Sequence, residues 1–569
     1  MRRSRSSLAL AAREAVEPTV VNAGPREQAF GGGLEGASTT SRELMRWQPM
    51  VISPDQQIAL DKQMADLRGR DQTQNNGYTQ GAMQTHRDSI VGAQYRLNAT
   101  PDWEALGATE AWAEEFQTAV ESEFNLLSDS RQNWFDASRT MTLTGLLRMG
   151  IASFFSTGEV TASVEWIRQK NRPFSTAIQM ISPMRVSNPD SSMDTKYLRS
   201  GVVIDDFGQP QSYWVRNGWV SDPYGEDAYK WKEIDARKPW GRKQFIHIFE
   251  AVQVGQSRGI ADMVAILKEG KMTSKFADVT LQNAVVNATY AAAIESELPS
   301  EMIYQSMGAG QGSLNDFIGQ YLAGLQSYLA GSGNIAIDGA KMPHLYPGTK
   351  LSMKPMGTPG GVGTEFEASL MRHIAVALGI SYEELTGDFT KTNYSSWKGA
   401  TNQTQKFMSS RKKLIADGMA NDIYALWMEE KINATLAGNT DGVKLPLPPG
   451  FTVADFYDPV KQEALLSCDW IGASKGQVDE MKETQAAILR IDSGLSTYEA
   501  ECARLGRDFR KVFRQRARES ALLKTLGLQF DTAATKPISD NGPEDPSSTP
   551  APSPKPAGGK KPVKKAVTQ

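Results

Sequence analysis

Cysteine and histidine are scarce in this 569-residue chain. Its two cysteines, Cys468 and Cys502, do not form a Cys-x-x-Cys pair, and only four histidines occur. Disulfide-stapled domains need several cysteines, and structural zinc sites need clustered Cys and His ligands. The sequence therefore argues against a disulfide framework and a metal centre, predicts no cofactor, and fits a reducing compartment.

Long apolar runs are also missing. A membrane-spanning helix needs about 20 apolar residues, and no run in the sequence approaches that length. The basic start of the chain is like that of a signal peptide, but its apolar run is interrupted by Arg13 and Glu14. We therefore expect a soluble protein of the cytoplasm with no membrane partner.

Positive and negative side chains are nearly equal in number. The formal net charge is -3 and the isoelectric point is about 6.0. A protein that grips nucleic acid by bulk basicity has a much more basic composition. The 40% hydrophobic and 22% charged residues are ordinary for soluble proteins, and the length favours several domains.

The two ends of the chain have low-complexity composition. Residues 1–45 are rich in Ser, Gly and Arg, and residues 531–569 are rich in Pro, Ser and Lys. Such compositions cannot bury a core, so we expect a disordered arm and a disordered tail. The glycine triplet at 31–33 lacks the Gly-Lys-Ser/Thr sequence of a phosphate-binding loop.

Between residues 46 and 258 the hydrophobic period changes from helical to alternating. Helical patterns come first, and patterns typical of strands follow from Val160 onward, with a turn at Asp206–Pro210 that predicts a hairpin. Helices followed by mostly antiparallel strands indicate an α+β domain. From Gly259 to about residue 300 the helical pattern returns, long enough for the wall of a bundle or ring.

The stretch Glu365–Trp397 combines two helices and a polar loop. Phe366, Leu370, Ile374 and Leu378 form an apolar stripe at a spacing of four, which predicts a helix over 365–378. The glycine that follows this stripe is expected to end the helix in the left-handed conformation.

Residues 379–393 read as a short capped turn and an exposed loop. Ser381 and Glu384 have the spacing of a capping box, and the resulting turn is expected to end near Gly387. Asp388 to Thr392 has no apolar period. Asn393 can cap a second long helix over residues 394–434.

This stretch carries a family resemblance. The sequence MRHIAVALGISYEELTGDFTKTNYSSWKGA closely resembles the portal proteins of tailed bacteriophages, specifically the lambda-like group. The block Arg68–Leu97 and the pieces Asp469–Gly472 and Gln477–Glu483 are similar to other blocks of that family, except that Glu480 stands where the family usually has Pro. The resemblance runs from about residue 68 to 520.

The resemblance implies an α+β portal-type subunit that assembles into a ring and has no enzyme activity. The implied parts are the wing (46–258), stem helix (259–300), clip and return (301–364), second stem helix (365–378), tunnel loop (379–393), long helix of the wing and crown (394–434) and helical crown (435–530).

The resemblance also implies partners and a site. The ring would be a dodecamer at a capsid vertex, assembled in the host cytoplasm, through which double-stranded DNA is packaged and ejected. Its other partners would be the terminase large subunit, major capsid and scaffold proteins, and a head-completion or adaptor protein. The implied channel residues are Thr386, Asp388, Phe389, Thr390, Lys391 and Asn393, followed by the family motif Tyr394, Ser395 and Ser396.

The sequence also contains one enzyme-like motif. Gly255, Ser257 and Gly259 form Gly-x-Ser-x-Gly between an apparent strand and an apparent helix, which is the context of a hydrolase nucleophile. Asp338 and His373 would be its acid and base. A serine hydrolase is therefore one alternative function. Another capsid or adaptor structural subunit is the second alternative.

A cluster of arginines near residue 510 could contact phosphates. Arg507, Arg510 and Arg514 belong to a basic segment that also carries Phe509 and Phe513. The same pattern fits a solvated amphipathic helix equally well, so both interpretations stay open.

Overall fold

The computed structural model divides into two compact units, Met1–Ala473 and Ser474–Gln569. It describes residues 34–39, 41–219, 221–222, 226–290, 319, 323, 326, 335–337, 340–342, 362–390, 392–438, 444–474 and 480–526. The predicted tail, most of the predicted arm and clip, and Lys391 and Asp338 therefore lie outside the described residues.

Side-chain caps and prolines set the ends of the helices. Ser53 caps the first helix and Pro54 opens it, while Thr109 and Thr142 cap two later helices. The helices of the first unit are α1 (Pro54–Asn75), α2 (Gly77–Ile90), α3 (Glu110–Ser128), α4 (Leu143–Thr157), α5 (Leu267–Tyr290), α6 (Val362–Ala377), α7 (Tyr382–Thr386), α8 (Tyr394–Arg411), α9 (Gly418–Leu436), α10 (Val453–Phe456) and α11 (Pro459–Leu466).

The strands form small antiparallel sheets. A three-stranded sheet has the order β3-β2-β8, a four-stranded sheet has the order β4-β5-β6-β7, and β1 pairs with β11 and β9 with β10. The strands are β1 (Arg96–Ala99), β2 (Glu159–Trp166), β3 (Thr176–Ile181), β4 (Leu198–Arg199), β5 (Val202–Ile204), β6 (Pro210–Arg216), β7 (Trp231–Asp235), β8 (Phe245–Phe249), β9 (Ile335–Ile337), β10 (Ala340–Met342) and β11 (Cys468–Ile471). Helices and antiparallel sheets together confirm the α+β class.

The predicted hairpin is present between β5 and β6. Asp205 accepts hydrogen bonds from the backbone N–H groups of Phe207 and Gln209, which closes the turn. Gly208 takes the positive φ that this turn requires. The turn places Phe207 in solvent, with 97% of its surface exposed.

The main core of the first unit is built around α9. Tyr424 and Trp427 are fully buried, and both lie against the ring of Phe124 from α3. Trp470 of β11 contacts the same ring at a centroid distance of 5.9 Å. Because burial of large aromatic side chains dominates core energetics, these contacts join helices from distant parts of the sequence.

The pairing of β11 with β1 moves a predicted boundary. Cys468 pairs with Ala99 and Ile471 with Arg96, so residues 444–473 belong with the first unit. The described residues of 435–530 therefore do not form one separate helical part. The second unit contains the helices α12 (Glu480–Asp492), α13 (Tyr498–Arg504) and α14 (Phe509–Leu526).

The long helix predicted from Gly259 begins later. Gly259 donates its backbone N–H to a carboxylate oxygen of Glu159, and Ala261 is extended, so residues before 262 cannot be helical. A 3-10 turn at Asp262–Ile266 leads into α5, which is described to Tyr290.

Helix α6 lies beside α5 and is embedded only at one end. Ile374 and Leu378 are buried, whereas Phe366, near the start of the helix, is exposed and meets the ring of Phe276 from α5 at 6.5 Å. The helix predicted over 394–434 is α8 and α9, joined by a π-helical turn at Lys412–Asp417. Among the described helices, none has an apolar stretch long enough to cross a membrane.

Candidate functional site

The segment 379–393, here called the loop segment, joins α6 to α8. Gly379 has φ +68°, and the N–H of Ile380 bonds to the carbonyl of Ala375. This six-to-one bond is the Schellman motif that ends a helix at glycine. The predicted helix stop at Gly379 is confirmed.

Both predicted caps inside the loop segment are present. Ser381 and Glu384 form a reciprocal capping box at the start of α7, and Gly387 ends α7 with φ +69°. Asn393 accepts a hydrogen bond from the backbone N–H of Ser396 and caps α8. The backbone path of the loop segment is therefore set by local side-chain chemistry.

The base of the loop segment is held by the core. The carbonyl of Leu378 accepts a hydrogen bond from Nε2 of buried His86 at 2.9 Å. Leu385 is buried, and Thr404 of α8 donates to Glu384 at 2.9 Å. Thr392 donates to Glu383 at 3.2 Å, so both ends of the segment are fixed.

The tip of the loop segment, Gly387–Thr390, faces solvent. Asp388 accepts hydrogen bonds from the backbone N–H and the hydroxyl of Thr390, which closes a tight Asx-type turn. The side chain of Phe389 is 50% exposed. The described tip thus presents a carboxylate, a phenyl ring and a hydroxyl on a structured turn, and Lys391, beside it in sequence, lies outside the described residues.

The other predicted site residues fall into two groups. Thr386 bonds its hydroxyl to the Tyr382 carbonyl, and Asn393 and Ser396 cap α8, so the structure gives these three residues structural contacts. Ser395 is exposed, and the side chain of Tyr394 is outside the described part of the chain.

The arginines lie in the second unit. Arg510 and Arg514 stand four residues apart on α14 and share one face, whereas Arg507 precedes the helix. Arg507 lies outside α14 because Gly506, with φ +69°, ends the turn after α13. Phe509 and Phe513 pack together at 4.5 Å.

The Gly-x-Ser-x-Gly motif does not form a nucleophile elbow. Ser257 donates its backbone N–H to Asp55 at 2.7 Å, and its buried hydroxyl has no hydrogen-bond partner among the described residues. His373, the predicted base, is exposed on α6. A nucleophile needs a base within hydrogen-bond reach, so the described residues do not favour the hydrolase alternative.

The motif instead positions a buried charge. Arg258 is 3% exposed and makes hydrogen bonds to both carboxylate oxygens of Glu159. Burial alone would raise the pKa of Glu159, but the charges of Arg258 and Lys62 hold that pKa well below its usual value. Gly259 is required because a side chain there would overlap the carbonyl of Gly158.

Metal-binding groups are not apparent at the site. No set of three or more His, Cys, Asp or Glu side chains with suitable geometry occurs among the residues that the structure describes.

Gly379 and Gly387 provide a matched pair of substitutions. Both have positive φ, but a Cβ at Gly379 would overlap the ring of Phe407, whereas a Cβ at Gly387 would meet open space. We expect Gly387→Ala to lower the free energy of unfolding by about 1–2 kcal/mol, and Gly379→Ala to lower it by more. Urea unfolding of both variants checks this, and equal losses would contradict the packing of Gly379 on Phe407.

His86 predicts a pH dependence of stability. Burial lowers the pKa of His86 to about 4, so between pH 6.5 and 4 the unfolded state binds its proton more readily than the folded state. The contribution of His86 is therefore full above pH 6.5 and is lost as the pH falls, by up to about 3 kcal/mol. Burial of Asp66 raises its pKa to about 6 and acts in the opposite direction.

Comparison with His86→Gln isolates this contribution. Between pH 7.5 and 4.5, the unfolding free energy of the variant should fall less than that of the parent chain, because glutamine has no proton to gain. Parallel pH profiles would show that His86 does not titrate as a buried neutral side chain.

Comparisons with known proteins give a consistent result. The family model described as phage portal protein, lambda family, matches residues 40–412. The chain is 32% identical to portal protein B of Escherichia phage lambda over 505 residues, which is 88% of this chain and 91% of the relative. It is 33% identical to the portal protein of Escherichia phage N15 over 504 residues, covering 88% and 90%.

Solved structures give weaker similarity. A chain from the neck of an empty gene transfer agent particle aligns with 12% identity and a TM-score of 0.36, covering 83% of this chain and 99% of that chain.

Proposed function

Because this chain belongs to the lambda family of phage portal proteins, we propose that it forms a dodecameric ring at one vertex of the capsid. It is a structural protein of the virion, assembled in this proposal in the host cytoplasm. Double-stranded DNA passes through the central channel during packaging and ejection. The loop segment lines that channel.

The construction of the loop segment carries this proposal. Its base is fixed by His86 and Thr404, and its tip is exposed at Phe389. A surface that guides a moving duplex must keep its shape while binding the duplex weakly. The segment 388–391 has one carboxylate, Asp388, and one cation, Lys391, in its sequence, so its contacts to the phosphate backbone would be weak and would carry no sequence information.

Exposed apolar side chains support self-association. Helix α5 exposes Met272, Val279 and Leu281, and α6 exposes Phe366 and Val376. In the second unit, α12 and α14 bury none of their described residues within this single chain. Exposed apolar side chains in such numbers are typical of an interface, and neighbouring copies in a ring would cover them.

The remaining partners are also part of this proposal. The clip (301–364) docks the terminase large subunit and the head-completion or adaptor protein, while the wing (46–258) contacts the major capsid and scaffold proteins. The stem comprises 259–300 and 365–378, and residues 394–434 and the second unit form the wing helix and crown. Arg507, Arg510 and Arg514 contribute phosphate contacts inside the capsid.

Negative-stain electron microscopy and native mass spectrometry of one purified sample test whether the chain forms a ring. We expect closed rings with a central hole and a mass that is a multiple of the 62.4 kDa chain. If the chain remains a monomer alone, the measurement is repeated with the scaffold protein. A monomer that persists with scaffold would contradict the proposal.

A further inference from the structure

An irregular segment with several exposed apolar side chains precedes α1. Residues 46–52, here called the arm segment, form neither helix nor strand beyond the turn that ends at Arg46. Trp47 is 72% exposed and Val51 is fully exposed, and Met50 and Ile52 are exposed as well. Four large apolar side chains in one short exposed segment are far more than scattered surface residues would give.

A groove of matching character runs along α1. It has a volume of about 520 Å³. One wall is the α1 face that includes Ile58 and Ala65, and the other is formed by segment 252–265, including Ile260 and Val264. Its lining is mainly aliphatic, and nothing in the described part of the chain occupies it.

The two features match in length and charge. The α1 wall extends from Pro54 to Asp66, about 18 Å at the helical rise, and the seven residues of an extended arm segment span about 23 Å. Asp61 is exposed on the acidic side of the groove, and Arg46 is exposed at the start of the arm segment. A basic apolar segment is therefore complementary to this groove.

The arm segment does not pack into the groove of its own chain, since Trp47, Met50 and Val51 are exposed. Ser53 is extended, with φ -68° and ψ 150°, and the proline that follows keeps it out of the helical region. Ser53 also accepts a hydrogen bond from the N–H of Gln56, which fixes the start of α1. To enter the groove beside it, the chain would have to reverse at this restricted residue.

We propose that the arm segment of one copy packs into the α1 groove of a second copy. The inference rests on the self-association proposed above and specifies one contact through which it occurs. Trp47, Met50 and Val51 bury their side chains against the aliphatic lining, and Arg46 lies near Asp61. Each subunit both donates an arm segment and accepts one, which is a heterologous contact that closes when the subunits form a ring.

Cysteine cross-linking of the full chain tests this contact. In a Cys468→Ser, Cys502→Ser background, one preparation carries Val51→Cys and a second carries Ala65→Cys, and the two are mixed and treated with a short bis-maleimide. Phe207→Cys, at a more exposed position on the hairpin turn between β5 and β6, replaces Ala65→Cys in the control. We expect at least about tenfold more cross-linked dimer with Ala65→Cys than with the control, because bound segments react at a raised effective concentration.

The double variant Val51→Cys, Ala65→Cys separates the possible occupants. Cross-links between copies, seen as a ladder of covalent multimers, support the proposal. A cross-link within one chain would mean that the arm segment occupies its own groove and would overturn it. Equal yields at residues 65 and 207 would also overturn it.

Microscopy of the same sample distinguishes this proposal from the ring itself. Rings without the cross-link would reject the arm contact and leave the ring intact, whereas cross-linked pairs without rings would reject the ring and retain the contact. A Trp47→Ser, Val51→Ser chain should need at least about tenfold higher concentration to associate, because two apolar anchors are lost. Unchanged association would contradict the proposal.

Discussion

Replacement of Phe389 and Lys391 together by alanine is expected to reduce DNA packaging by about tenfold or more while ring assembly is retained. Phe389 is at the exposed tip of the loop segment, and the base of that segment is fixed without either residue. Every subunit of the ring carries the change. An increase of about 1.4 kcal/mol in the activation free energy of the step that advances DNA already lowers its rate about tenfold. Packaged DNA protected from nuclease measures the effect.

A control on the hairpin turn distinguishes a channel role from a general surface effect. Phe207 and Lys196 are also an exposed aromatic residue and an exposed lysine. We expect Phe207→Ala with Lys196→Ala to package DNA normally. If the loop variant also packages normally, the assignment of residues 379–393 to the channel is wrong.

Substitution of Arg258 by alanine is expected to lower the free energy of unfolding by about 3–5 kcal/mol, because Glu159 would remain buried without its main partner. Arg258 also donates to the carbonyls of Pro183 and Val186, so it joins β2 and the segment after β3 to the segment before α5. Urea denaturation measures the change.

Ser257→Ala is the matched control in the next residue. The buried Ser257 hydroxyl has no described hydrogen-bond partner, so its removal should change stability by less than about 1 kcal/mol. A fluorophosphonate probe should not label the chain at Ser257. Labelling there, together with a small effect of Arg258→Ala, would favour the hydrolase alternative.

The local parts of the site could be predicted from the sequence. The stop at Gly379, the Ser381–Glu384 box and the Asn393 cap each depend on residues within four positions of one another. Capping chemistry acts over that distance, so the pattern itself contains the information. The α+β class was predictable for a similar reason, since hydrophobic period changes along the chain.

The long-range parts could not be predicted. The pairing of β1 with β11 and the ion pair of Arg258 with Glu159 join residues that no local period relates. These contacts also explain two differences from the sequence predictions. The ion pair and the Gly259 hydrogen bond delay the start of α5, and the strand pairing draws residues 444–473 into the first unit. The support of the loop segment by His86 likewise required the folded chain.

The central claim is that this chain forms a ring whose hole is lined by the loop segment. The most direct measurement is electron microscopy of the purified chain carrying a gold label at Phe389→Cys in the cysteine-free background, with Phe207→Cys as the second sample. We expect closed rings with the residue 389 label at the central hole and the residue 207 label away from it. Rings with the residue 389 label on their outer edge, or no rings even with scaffold, would contradict it.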